Sequence, residues 1–213
     1  MDCSFEKQIC DAAEFLHRAK ISSVPRVVIS AVDRTKRRVI LKPKSSISNK
    51  IDVYSLDDND PIDHSDAAIH LQLYRKFDSV GSIIFLNSYY ISLFVQSRMS
   101  LKKIDIRGEK LVAGDIPCSA YVSSAEDADS VITDLYANIS SDPAEIPAVI
   151  VPPIGAVLFG KNTTDAAEYA YILEKTAMFR YKISEFDLYD TEIFDSLNRF
   201  DLKRKIRSTA SPV

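Results

Sequence analysis

The stretch from Ala148 to Arg180, AVIVPPIGAVLFGKNTTDAAEYAYILEKTAMFR, constrains this chain more than any other. A four-residue apolar run, Ala148 to Val151, meets Pro152-Pro153-Ile154-Gly155, and a second run, Ala156 to Phe159, ends at Gly160. Apolar runs this short, bounded by Pro and Gly, read as two buried strands joined by a tight break. Thr163 or Thr164 is then the expected N-cap of a long helix. Ala166, Ala170, Leu173 and Ala177 recur at i, i+4, i+7 and i+11, and small residues on that one face let the helix lie close on the sheet. A strand pair covered by such a helix is a core, and by itself it names no chemistry.

At 213 residues the chain fits one domain, expected over 1–207, with 208–213 as a fraying tail. No apolar run approaches the roughly 18 uncharged residues that a bilayer span needs, so no membrane association is expected. The first residues, MDCSFEKQIC, carry acids and lack a basic-then-apolar leader pattern, which points to a cytoplasmic protein. Net charge is −3 with the signs mixed along the chain, so no nucleic-acid surface is expected. With 5 glycines and neither G-x-G-x-x-G nor G-x-x-x-x-G-K, a glycine-rich phosphate loop is excluded. Cys3, Cys10 and Cys118 are an odd number without a C-x-x-C pair, which fits thiols better than a disulfide framework or a thiolate metal site.

From the N-terminus, Ser4 to Ala19 reads as an amphipathic helix with Phe5, Ile9, Ala12, Leu16 and Ala19 on one face. Arg26–Val32 and Val39–Leu41 are expected strands of a hairpin about the polar turn Asp33-Arg34-Thr35-Lys36. Ile51–Leu56 is a further strand, and a second helix runs from Asp63 or Ser65 to Phe77. Val80–Phe85 is a buried strand and Ser88–Met99 a helix. Leu101–Ile106 and Leu111-Val112 are short strands, Ala125–Ser140 is a helix with Leu135 inward, and Asp187–Arg207 closes the chain as an amphipathic helix. The basic run Lys203-Arg204-Lys205-Ile206-Arg207 suits the negative end of that helix dipole.

Four segments carry more than packing information. The second helix reads Ser65-Asp66-Ala67-Ala68-Ile69-His70, with Tyr74 one turn on. The next strand leads through Phe85-Leu86-Asn87-Ser88-Tyr89-Tyr90, and Ile116-Pro117-Cys118-Ser119-Ala120-Tyr121 follows. The fourth is the Ile154-Gly155 strand pair with its alanine-rich, Glu-containing helix. In order and spacing, from about Glu6 to Ser184, these resemble the class II aldolase/adducin family, and Ile116–Tyr121 resembles the fuculose-phosphate aldolases within it.

The resemblance implies a single three-layer α/β/α domain around a mostly antiparallel sheet, a homotetramer with sites between subunits, and a zinc ion held by three histidines. At the matching positions this chain has Phe85, Asn87 and Ile154. Phe and Ile have no donor atom, and an amide oxygen is a weak zinc ligand, so no cofactor is expected. His17, His64 and His70 are the only histidines; they are too scattered to rebuild a three-histidine site, and His70 reads as a structural residue.

Asp66 stands where the family's catalytic glutamate is. It reads either as a general base one methylene short or as a first-turn acid favoured by the helix dipole. Tyr121 matches the family's proton-donating tyrosine, and otherwise reads as a packing or interface aromatic. Lys44, Ser45 and Ser65 are the candidates for holding a phosphate group, the first two also reading as a solvated hairpin loop. The expectation is a homologue without zinc-dependent aldol cleavage of sugar phosphates, of non-catalytic or scaffold type. The alternatives are a metal-free lyase or isomerase using Asp66 and Tyr121 on a small phosphorylated carbonyl compound, and a sensor of an anionic metabolite.

Overall fold

The computed structural model of the chain describes residues 4–21, 27–43, 51–57, 65–102, 115–119, 135, 143, 147–152 and 154–185. Its elements are α1 (Phe5–Arg18), β1 (Val27–Asp33), β2 (Arg38–Lys42), β3 (Asp52–Ser55), α2 (Ser65–Lys76), β4 (Ser82–Leu86), α3 (Tyr89–Ser97), β5 (Ala148–Val151), β6 (Gly155–Gly160) and α4 (Thr163–Glu185). The strands form one six-stranded sheet in the order β3-β2-β1-β4-β6-β5. Every pairing in it is antiparallel. The hairpin about Arg34 and the strand pair about Pro152–Ile154 form as the sequence dictates.

Side-chain alternation sorts the apolar runs onto two faces. On one, Val28, Val39, Ile83, Phe85, Val149, Val157 and Phe159 pack with Ile69, Leu73, Tyr74 and Phe77 of α2. On the other, Ile29, Ile40, Ile84, Leu86, Ile150 and Leu158 meet Ile9 and Leu16 of α1, Ile91 and Val95 of α3, and Ala166, Ala170, Leu173 and Ala177 of α4. The result is an α/β/α sandwich, and β4, β5 and β6 read as unbroken apolar runs because both their faces are buried. The small-residue face predicted for α4 is the buried one, with Ala166, Ala170 and Ala177 at 0% exposure.

Two sequence expectations are corrected. The N-cap of α4 is Asn162, not Thr163 or Thr164: its Oδ1 accepts the Asp165 N–H at 2.9 Å and its carbonyl accepts the Ala166 N–H at 3.2 Å. Thr163 is already helical and buried, and its hydroxyl has no partner among the described residues. Asn competes for the cap because its amide oxygen reaches back over the first turn as well as a hydroxyl does. Leu101 makes only an isolated bridge, antiparallel to Ile116, rather than opening a strand. Cys118 bridges Ile150 in parallel, with the Ser119 N–H donating to the Ile150 carbonyl, so residues 117–119 cover the outer edge of β5. Cys10 and Cys118 form no disulfide. Residues 103–106 of the strand expected at Leu101–Ile106 lie outside the described residues, as do the strand expected at 111–112, most of the helix expected at 125–140, the one at 187–207 and the expected domain end at Arg207.

The chain divides into two compact units, Met1–Ala177 and Met178–Val213. The described part of the second is the end of α4, to Glu185.

Where α2 ends, a side chain from the β1–β2 turn completes it. The Arg34 guanidinium donates to the carbonyls of Phe77 (2.9 Å) and Val80 (3.0 Å), more loosely to that of Tyr74 (3.4 Å), and reaches Asp78 at 3.3 Å. The Tyr74 carbonyl is an orphan acceptor of the last turn of α2, and those of Phe77 and Val80 belong to the turn that follows it. Arg34→Ala is expected to lower stability by about 2 kcal/mol in urea denaturation, because it strips a charged donor from partly buried acceptors. Asp78→Ala, which removes a 96% exposed partner, is expected to change it by less than about 0.5 kcal/mol. Equal effects would mean that Arg34 acts through the ion pair rather than through the carbonyls.

Candidate functional site

Antiparallel register brings Val27, Leu86, Gly155 and Val151 to one end of the sheet, and Asp33, Ser82 and Gly160 to the other. Arg34 ties the last turn of α2 to the second end, so Ser65 and Asp66 start the helix toward the first. Phe85, Asn87, Ile154 and Asp66 therefore approach one end of one face.

Phe85 is buried (3% exposed), and its ring lies on the imidazole of His70, centroids 4.1 Å apart at 49°. Ile154 is buried in the same cluster. Asn87 is half-buried, but its Oδ1 is enclosed and has no partner among the described residues. Asp66 is half-buried in the first turn of α2. Lys44, Ser45 and Tyr121 lie outside the described residues; of Ser65, only its place as the first residue of α2 is described.

Below Phe85 runs a buried polar relay. Ser30 Oγ lies 2.6 Å from His70 Nδ1 and 2.7 Å from the Tyr74 hydroxyl. If each hydroxyl passes its proton along, Tyr74 donates to Ser30 and Ser30 to Nδ1, which leaves the imidazole proton on Nε2. Nε2 has no partner among the described residues, so His70 is structural as expected but satisfied on one side only. Desolvation pushes the His70 pKa down to about 3, and burial pushes the Tyr74 phenol up. The Ser–His distance matches that of a nucleophile and its base, but Ser30 and His70 are fully buried, and no substrate atom can reach them. The relay fixes α2 to β1 and holds His70 neutral beneath Phe85.

On the far side of the Asn87 turn, α3 begins without a cap of its own: Ser88 occupies the N-cap position, but its side chain makes no capping bond. The cap comes from α4. Glu174, 7% exposed, accepts the Ser88 hydroxyl at 2.5 Å and the Tyr90 and Ile91 N–H groups at 3.1 Å each. Burial raises its pKa, opposed by those three donors and by Lys175. Sequence reasoning passes over Glu174, although it stands four residues after Ala170 and three before Ala177. An acid on a face that reads as core is out of place, and that misplacement is the available signal. Gly155 closes the turn from the other side with φ +133°; a Cβ on it would clash with the Leu86 carbonyl and lie 3.2 Å from Asn87 Cβ.

Among the described residues, no three His, Cys, Asp or Glu side chains come together as a metal-holding group, and no helix is long and apolar enough to cross a membrane. The fold is that of solved aldolases. An L-fuculose 1-phosphate aldolase superposes with a TM-score of 0.68 at 17% identity, over 92% of this chain and 96% of that one. The L-fuculose-1-phosphate aldolase of Thermus thermophilus gives 0.67 at 14%, over 88% and 98%. A sugar-phosphate aldolase from Thermotoga maritima gives 0.62 at 13%, over 85% and 95%. The family described as Class II Aldolase and Adducin N-terminal domain matches residues 9–181. The chain belongs to that family.

Proposed function

We propose that this protein is a class II aldolase homologue that has lost zinc-dependent aldol cleavage of sugar phosphates and serves as a non-catalytic, scaffold-type member. The observation that carries this is Phe85. It takes the position of a zinc-binding histidine in the resemblance, and its ring is packed onto His70 at 4.1 Å. Ile154 is buried, and Asn87 offers an amide oxygen only. Zinc needs imidazole, thiolate or carboxylate donors, so Phe85, Asn87 and Ile154 do not fit it. Without a Lewis acid to hold the enediolate, several kcal/mol of transition-state stabilisation are missing. The reading includes a cytoplasmic homotetramer, with Lys44, Ser45 and Ser65 as the residues that would meet a phosphorylated small molecule.

The test is metal content of freshly purified protein, together with cleavage of fuculose 1-phosphate with and without a chelator. The expected result is below about a tenth of a zinc per chain and no chelator-sensitive cleavage. Close to one zinc per chain, with cleavage abolished by the chelator, would overturn the reading. A second reading, metal-free acid–base chemistry, rests on Asp66 remaining half-exposed while its neighbour Ala67 is buried. Chelator-insensitive turnover that is lost in Asp66→Asn and in Tyr121→Phe would establish it instead.

A further inference from the structure

Two buried polar atoms border Phe85, and neither reading of function gives them a partner. His70 is fully buried and its Nε2 is unpartnered among the described residues; the enclosed Oδ1 of Asn87 is unpartnered as well. The imidazole stacks on the Phe85 ring at 4.1 Å between centroids. Asn87 follows Phe85 by two residues, the spacing that returns a strand's side chains to one face. The register agrees. Phe85 pairs with Val157, and two residues before Val157 stands Gly155, where an added Cβ would lie 3.2 Å from the Asn87 Cβ. Asn87 thus continues the face on which α2 carries His70.

The chemistry of the two atoms is complementary. When the relay passes its protons from Tyr74 to Ser30 and from Ser30 to Nδ1, Nε2 carries the proton and can only donate. The amide oxygen of Asn87 can only accept. Buried polar atoms in folded proteins almost always find partners, and a group that serves both of these must accept from one and donate to the other. That is a hydroxyl. A divalent cation gains no lone pair from a protonated Nε2, and a carboxylate or phosphate dianion brings no proton to Oδ1. Asp66, one turn before His70 on α2, is not the partner of Nε2. With Phe85 and Ile154 buried alongside, the occupant must reach atoms that have no exposed surface, and the smallest hydroxyl compound does so. Two polar partners are enough to hold a water inside a protein.

We propose that one internal water accepts the His70 Nε2–H and donates to Asn87 Oδ1. The relay then runs Tyr74, Ser30, His70, water, Asn87, and it ties α2 to the residue that ends β4 as well as to β1.

The first experiment uses the full chain labelled with 15N at histidine, in ordinary buffer, with solvent water as the probe. The expected spectrum shows a one-bond N–H correlation at His70 Nε2, with a cross-relaxation peak to the water resonance of the sign given by a long-lived bound water. A proton found on Nδ1 instead, or an Nε2–H without that water peak, overturns the inference. The second experiment is a double-mutant cycle of Asn87→Leu and His70→Phe in urea denaturation. Loss of the Ser30 contact is common to both His70→Phe arms and cancels. The two changes are expected to couple by about fivefold in the unfolding constant, because each alone strands the other's polar atom. Additive effects overturn the inference, and so does coupling without the water peak, which would put the amide directly on the imidazole. If a variant fails to fold, the spectrum of the unsubstituted protein decides. Neither experiment reads zinc or turnover, so this inference and the proposed function fail separately.

Discussion

Gly155→Ala is expected to lower stability by on the order of 4 kcal/mol. Two penalties add. At φ +133° an L side chain is strained, which costs about 1–3 kcal/mol. The new methyl also meets the Leu86 carbonyl, and the β4–β6 ladder cannot yield there because Leu86 is already in register with Ala156. Against a total stability of roughly 5–15 kcal/mol, the loss removes about a quarter to four-fifths of it. Urea denaturation of the purified variant measures it. A change under about 1 kcal/mol would mean that the turn relaxes and that Gly155 is not what sets the Asn87 geometry.

Acidification is expected to unfold this protein through His70. In the unfolded chain the imidazole titrates near 6.5, and in the folded one it titrates at about 3. The folded state therefore refuses a proton that the unfolded state accepts. Stability is fully present above about 6.5 and is lost as pH falls through the window toward 3, by about 1.4 kcal/mol per unit. Between pH 7.5 and 5 the loss from this group alone is about 2 kcal/mol. Glu174 acts in the opposite sense: its folded pKa is raised, so its contribution is fully present below the ordinary carboxylate value and is lost as pH rises through the raised one. His70→Asn, which keeps an atom near Nδ1 for Ser30 but cannot ionise, isolates the histidine. Its urea midpoint should depend less on pH by the equivalent of about 2 kcal/mol over that range, whatever its absolute stability. An unchanged pH dependence would place the His70 titration near its ordinary value and the ring within reach of water.

What the sequence determined by itself was everything governed by neighbours along the chain. Short apolar runs broken by Pro and Gly specified β5 and β6, and helical periodicity specified α1 and the buried face of α4. The family was legible in Ser65–Tyr74 and Ile154–Ala177, whose spacing survives low identity because the packing of α2 and α4 on the sheet depends on it. The tertiary structure alone decided how groups far apart in sequence satisfy one another. Nothing local says that Ser30 bonds His70 forty residues on, that Arg34 finishes α2, or that Glu174 begins α3 across more than eighty residues. Helix ends and buried polar atoms must find partners, but any donor or acceptor that folding brings near can be the partner. Asn162 displacing Thr163 as cap is the same lesson at short range: both residues can cap, and the backbone leaving Gly160 chose between them. Phe85, likewise, could be read as a lost ligand from its position in the chain. Its contact with His70, which makes it part of the core, is a product of the β1–β4 register and of the relay that anchors α2, and only the folded molecule contains it.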